Sequence, residues 1–196
     1  ITQVMQDRRG YLWIGTTEGL YRHYMAVAGA VDLPLLLYNI PGRTGVNMLP
    51  STIARLSDMK TIVGVKEGSG SVQQASDIVQ MCGDRLTVLA GDDSLTLPMM
   101  AVGGKGVITV TANIVPMEMA GLVKAFAEGR IDEARRIHFK LSPLFAALFY
   151  ETNPIPVKEA LGLMRKIDPE LRLPLCPMAQ DTREKLVRVL KDAALI

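Results

Sequence analysis

From about residue 19 the apolar positions alternate between a spacing of two and a spacing of three to four, with short connections between the two patterns. That alternation is the signature of successive βα units laid on a parallel sheet. Four short runs rich in Leu, Val, Ile and Thr read as strands, at 33–39, 61–67, 86–91 and 106–113. Helices are expected between them. Pro50 and Ser51 open one that runs to about Ser57, Ser71 caps a second that ends near Cys82 and Gly83, and the stretch from Asp92 to Ser94 caps a third. Beyond the last strand the period is helical throughout, over 116–128, 131–150, 156–167 and 181–194, with Gly129 and residues 174–177 as breaks. The expected fold is α/β, with about four βα units of a partial (β/α)8 barrel over 17–115 and a helical C-terminal region over 116–196. In such a barrel the functional groups collect at the carboxyl ends of the strands.

Composition narrows the picture. The 196 residues are 48% hydrophobic and 21% charged, which suits one core of a soluble globular protein and excludes disordered or collagen-like chains. The 22 basic and 20 acidic side chains nearly balance, and no basic cluster is interleaved with aromatics, so a nucleic-acid partner is not expected. A small-molecule ligand is. Cys82 and Cys176 lie far apart with no C-x-x-C, and only His23 and His138 could join them, so neither a zinc site nor a disulfide framework is indicated. The most apolar stretch, 25–40, is interrupted by Asp32 and Pro34, and no basic-then-apolar leader opens the chain. No membrane association and a cytoplasmic location are therefore expected. The first residue is Ile1 rather than methionine, which points to a start inside a longer reading frame.

Candidate chemistry sits at two strand ends. Lys66 closes the second predicted strand and Tyr38 lies at the end of the first. An amine on an otherwise apolar strand is short of hydration, which favours the neutral form that attacks a carbonyl. Taken alone, a strand-end lysine with its head in water is the plainer account of Lys66. Pro41-Gly42-Arg43-Thr44-Gly45 reads as a rigid turn presenting a guanidinium fork suited to a carboxylate, or as a surface turn with a solvated arginine. Gly68-Ser69-Gly70-Ser71 is a weak anion-loop signal, and Gly91-Asp92-Asp93 is better read as an acidic helix cap than as a ligand approach. Gly103-Gly104-Lys105-Gly106 precedes a strand and lacks the spacing of a phosphate loop.

Together, Leu37-Tyr38-Asn39-Ile40-Pro41-Gly42-Arg43-Thr44-Gly45, Gly64-Val65-Lys66-Glu67, Ala90-Gly91-Asp92-Asp93, the segment from Gly106 to Asn113 and Asn153-Pro154-Ile155-Pro156-Val157-Lys158 closely resemble the dihydrodipicolinate synthase family. The likeness runs from about residue 17 to 196. It implies a class I aldolase-type lyase of lysine biosynthesis that condenses pyruvate with aspartate semialdehyde. In that reading Lys66 forms the imine with pyruvate, Tyr38 relays protons there, and Arg43 binds the carboxylate of the semialdehyde. Gly91 and Ile108 line the pyruvate end of the pocket. The sister N-acetylneuraminate lyases share the tyrosine and lysine positions without the Gly-Arg-Thr sequence, so Arg43 favours the synthase. No cofactor and no metal are implied, since the lysine itself serves as electron sink. The family is homotetrameric, and its members have four strands before the segment that this chain matches. An open half-barrel would expose an apolar face and two strand edges, so weak or no turnover is expected for the isolated chain.

Residues 1–22 resemble one blade repeat of the β-propeller sensors of two-component regulators, with Trp13 as the clearest mark. The expectation is a propeller-like arm over 1–16, present as an edge hairpin or a disordered segment, because a single blade unit cannot bury its own faces. A non-catalytic fragment or fusion product is the other function class that this leaves open.

Overall fold

The computed structural model describes residues 3–6, 12–15 and 17–196, with side chains from Glu18 onward. Strands β1 (Gln3–Gln6) and β2 (Leu12–Gly15) pair antiparallel, with Gln3 opposite Gly15 and Gln6 opposite Leu12. They form a two-stranded sheet of their own rather than adding to the edge of the parallel sheet. The rest of the propeller-like segment, including the side chain of Trp13, lies outside the described residues.

The parallel sheet has the order β3 (Leu35–Asn39), β4 (Ile62–Glu67), β5 (Thr87–Ala90) and β6 (Gly106–Val107). Helices α1 (Thr17–Ala30), α3 (Pro50–Leu56), α4 (Val72–Cys82) and α5 (Thr96–Ala101) precede or connect these strands. Four consecutive βα units of a (β/α)8 barrel are thus present. On α1, Leu20, Tyr21, Tyr24, Met25 and Ala28 recur at helical spacing and pack on the core. On α4, Ala75, Ile78 and Cys82 do the same, and the Ser71 hydroxyl accepts the Gln74 amide at 3.1 Å as the N-cap. The helices cover one sheet face, where Leu37, Val65, Val88 and Ala90 are buried. Leu36, Tyr38 and Val63 on the other face are each more than two-fifths exposed.

Two segments differ from the sequence expectation. The strand expected over 106–113 stops at Val107. The Ile108 amide still bonds the Ala90 carbonyl, but the Thr109 hydroxyl then accepts the Ala112 amide at 3.1 Å and a 3₁₀ turn forms over Thr111–Asn113. Local capping by a threonine side chain wins over β propensity there. The turn expected at 41–45 is a single helical turn, α2 (Pro41–Thr44), started by Pro41 and ended by Gly45 in the left-handed conformation at φ 71°.

The compact units divide between Ile108 and Thr109. The second contains α6 (Pro116–Ala127), α7 (Ile131–Ala147), α8 (Ile155–Leu163) and α9 (Gln180–Asp192). Helices α6 and α7 pack together, and α9 packs on α7 and α8 through the buried Leu186 and Leu190, one turn apart. His138 on α7 lies edge-on to Phe139 at 5.4 Å and near Phe145 at 5.7 Å, and its Nδ1 is buried without a hydrogen-bond partner. Burial holds this imidazole below its ordinary value of 6.5. The unfolded chain therefore takes up a proton at a pH where the folded chain does not, so this contribution is complete above 6.5 and is lost as the pH falls from there through the lowered value of the folded chain. Thermal melting followed on acidification should show a falling midpoint, with a shallower fall in His138→Gln.

Candidate active site

Consecutive register pairs across β3 and β4 are Leu37↔Val65, Tyr38↔Lys66 and Asn39↔Glu67. Side chains alternate along a strand, so these pairs face the helices, the open face and the helices again. Tyr38 and Lys66 are thereby brought together on the open face, with Nζ of Lys66 4.2 Å from the Tyr38 ring centroid. Such a cation–π contact is worth about 0.5–1 kcal/mol where exposed, and it holds the amine over the phenol. Tyr38 is 41% exposed and Lys66 is partly buried, so a small molecule can reach both. The Tyr38 backbone hydrogen-bonds to the Tyr24 phenol of α1. Burial pushes that phenol up, and the Tyr38 bond opposes the shift.

One step beyond the strands, three bonds stitch the four strand ends together. The Gly68 amide donates to the Asn39 carbonyl at 2.8 Å, the Gly91 amide to the Glu67 carbonyl at 2.7 Å and the Ile108 amide to the Ala90 carbonyl at 2.9 Å. Gly91 and Ile108 therefore lie at the same end of the sheet as Tyr38 and Lys66. Gly91 is required by close approach, since a Cβ there would meet Cα of Gly68 at 2.8 Å and the Glu67 carbonyl oxygen at 2.9 Å. Arg43 is exposed and is carried past that end on α2.

The weaker loop signals resolve as local structure. In 68–71 the Ser69 amide bonds Oε1 of Glu67 at 2.7 Å and the Ser71 amide bonds Oγ of Ser69 at 3.2 Å. Asp92 accepts both the amide and the hydroxyl of Ser94, as a cap does. Gly103 and Gly106 have φ of 108° and 154°, so turn geometry accounts for 103–106. Among the described residues no group of three or more His, Cys, Asp or Glu could hold a metal ion, and no helix is long and apolar enough to cross a membrane.

Sequence reasoning missed a polar cluster on the helix side, directly behind the Tyr38–Lys66 pair. Glu67 is fully buried and Asn39 is 2% exposed. The Asn39 amide donates to Oε2 and Oε1 of Glu67 at 3.0 and 3.3 Å and to Oδ1 of Asn47 at 2.8 Å. Its own Oδ1 accepts the Met48 amide at 2.9 Å. Gln74 on α4 donates to Oε2 of Glu67 and to Oδ1 of Asn47, both at 3.1 Å, and accepts from Nδ2 of Asn47 at 2.9 Å. The available signal was parity, because a polar residue directly after each candidate residue must point under the helices.

The chain matches the dihydrodipicolinate synthetase family over residues 9–193. It is 58% identical to the 4-hydroxy-tetrahydrodipicolinate synthase of Geotalea daltonii over 181 residues, which is 92% of this chain and 62% of that protein. The chain thus spans about 62% of the length of the curated relative it matches. A structure of the chloride-inhibited dihydrodipicolinate synthase of Acinetobacter baumannii complexed with pyruvate is 43% identical, with a TM-score of 0.90 over 93% of this chain and 62% of that one. A structure described as the first monomeric dihydrodipicolinate synthase variant is 44% identical, with a TM-score of 0.89 over 92% of this chain and 62% of that one. These likenesses extend over both the parallel sheet and the helical region, and with the family match they lead to one conclusion: the chain belongs to the dihydrodipicolinate synthetase family.

Proposed function

We propose that this chain carries the imine-forming centre of a class I aldolase-type lyase that condenses pyruvate with L-aspartate semialdehyde to 4-hydroxy-tetrahydrodipicolinate in lysine biosynthesis. The observation that carries the reading is the amine of Lys66 held over Tyr38 at the carboxyl ends of the strands, in a chain of this family. Nζ of Lys66 attacks the keto carbon of pyruvate, and loss of water with proton transfer through Tyr38 gives the imine. Removal of a methyl proton yields the enamine, whose carbon attacks the aldehyde. The amino group of the former semialdehyde then attacks the imine carbon and displaces Nζ of Lys66, which closes the ring of 4-hydroxy-tetrahydrodipicolinate and frees the lysine.

The other residues take supporting roles. Arg43, on the exposed turn beyond β3, offers a planar fork to the semialdehyde carboxylate. Gly91 and Ile108 border the pyruvate end, where the absent side chain of Gly91 lets the ends of β4 and β5 close on each other. The similar structure complexed with pyruvate supports the choice of keto acid. The substrates are small molecules, and the compartment in this proposal is the cytoplasm. The chemistry needs no cofactor, because the protonated imine itself withdraws the electrons. Oligomeric state is independent of the proposal, since a monomeric variant is among the similar structures.

The exposed open face bears on rate. Water reaches Leu36, Tyr38 and Val63 there, so the charges of the reaction are screened and turnover by this chain should be weak. Single-step trapping is the suitable assay. Incubation with pyruvate and borohydride, followed by peptide mass analysis, should place one reduced pyruvate on the peptide that contains Lys66. A folded chain with no adduct would move the reading to a non-catalytic product.

A further inference from the structure

We infer that Asn39 and Glu67 are positioning residues for the Lys66–Tyr38 centre, acting through the backbone that the two pairs share. This rests on the imine-forming role proposed for Lys66. The two pairs are adjacent in register, Tyr38↔Lys66 on the open face and Asn39↔Glu67 behind it. Each positioning residue follows its reacting neighbour by one peptide unit, so a movement of either carboxamide or carboxylate swings the neighbouring Cα. The cluster is closed in itself. Both amide hydrogens of Asn39 are used, towards Glu67 and towards Asn47, and its oxygen accepts the Met48 amide. Both oxygens of Glu67 accept, from Asn39, Gln74 and the Ser69 amide. Each of these partners is an N–H donor, matched by an oxygen of the Glu67 carboxyl group.

The cluster also ties three separate segments to this point. Asn47 and Met48 fix the far end of the loop that follows α2, Ser69 fixes the loop after β4, and Gln74 fixes the first turn of α4. Buried polar groups that are fully satisfied hold one geometry, because every alternative leaves a donor or acceptor unpaired. A hydrophobic replacement could preserve the packing here. Together with the backbone bond from the Gly68 amide to the Asn39 carbonyl, the polar set fixes the distance between the ends of β3 and β4, and hence where the amine stands relative to the phenol.

The test uses reversal of hydrogen-bond polarity in the full chain, with the rate and the final amount of borohydride-trapped pyruvate measured separately at saturating pyruvate. Glu67→Gln sets an amide donor against the donors of Asn39, Ser69 or Gln74, and Asn39→Asp sets two carboxylates against each other. Each should slow trapping by about 10- to 100-fold, the cost expected when a reacting group is misplaced by about an ångström. The final amount of adduct should stay at the wild-type level. In the double variant Glu67→Gln with Asn39→Asp a donor again faces an acceptor, and most of the rate should return. Wild-type rates in both folded single variants would overturn the inference, and so would a lower final amount at an unchanged rate, which is what a purely structural role gives. If the single variants do not fold, Gln74→Met removes only the outer arm of the cluster, and it should slow trapping several-fold; an unchanged rate in that variant overturns the inference. Absence of any adduct in the wild-type chain overturns both this inference and the proposal for Lys66, whereas a wild-type adduct with unaffected variants overturns this inference alone.

Discussion

Lys66→Ala should abolish the reducible pyruvate adduct on the peptide containing residue 66, and Lys66→Arg should do the same although it keeps the positive charge. The contrast separates two accounts of the lysine. If Lys66 only attracts the carboxylate of a keto acid, arginine is an adequate substitute. If its nitrogen becomes covalently bound to the substrate, no other side chain at this position suffices, and the loss is complete rather than partial. Tyr38→Phe supplies the intermediate case. The ring that lies 4.2 Å beneath the amine remains, and only the hydroxyl is lost. If that hydroxyl relays protons, trapping should slow by about 10²-fold or more while the adduct still forms on Lys66. An adduct on Lys66 that forms at the wild-type rate in Tyr38→Phe would remove the relay from the mechanism without touching the nucleophile. Retention of the full adduct yield in Lys66→Ala would show that pyruvate is captured at other amines.

How far these groups could be found from sequence depended on the range of the contacts that place them. Lys66 and Tyr38 end short continuous apolar runs of strand length, so their position at strand ends follows from local pattern alone. The helix opened by Pro50 and the cap at Ser71 were legible for the same reason, because a proline at the first turn and a serine before an amphipathic run act within a few residues. Val107 to Thr111 carries the composition of a strand, yet the Thr109 hydroxyl turns the chain, a choice that β propensity does not record. Asn47 and Gln74 gave no signal. They are 27 residues apart, and their amides meet only because β3 and β4 are neighbours in the sheet. Asn39 and Glu67 stood within the quoted motifs but had no role there, since the significance of each depends on the other.

Gly91→Ala should destabilise the first unit by about 2–4 kcal/mol and slow trapping at Lys66, although residue 91 offers no group to the reaction. The added Cβ would meet three backbone atoms, Cα of Gly68 at 2.8 Å, the carbonyl oxygen of Glu67 at 2.9 Å and the amide nitrogen of Gly68 at 3.0 Å. A flexible side chain could rotate away from such contacts, but backbone cannot. The strand ends must therefore part, and the 2.7 Å bond from the Gly91 amide to the Glu67 carbonyl lengthens or breaks. That carbonyl belongs to the residue directly after Lys66, so the strain enters the reacting layer itself. Gly29→Ala is the control. It lies in the last turn of α1 with nothing within 4 Å of the new methyl, and replacing a glycine there should raise stability by no more than about 0.5 kcal/mol without altering trapping. Thermal melting and trapping rates of the two variants side by side provide the check. Equal behaviour would mean that the end of β5 can move away from β4 without disturbing Lys66, and the close approach at Gly91 would then have no part in holding the site.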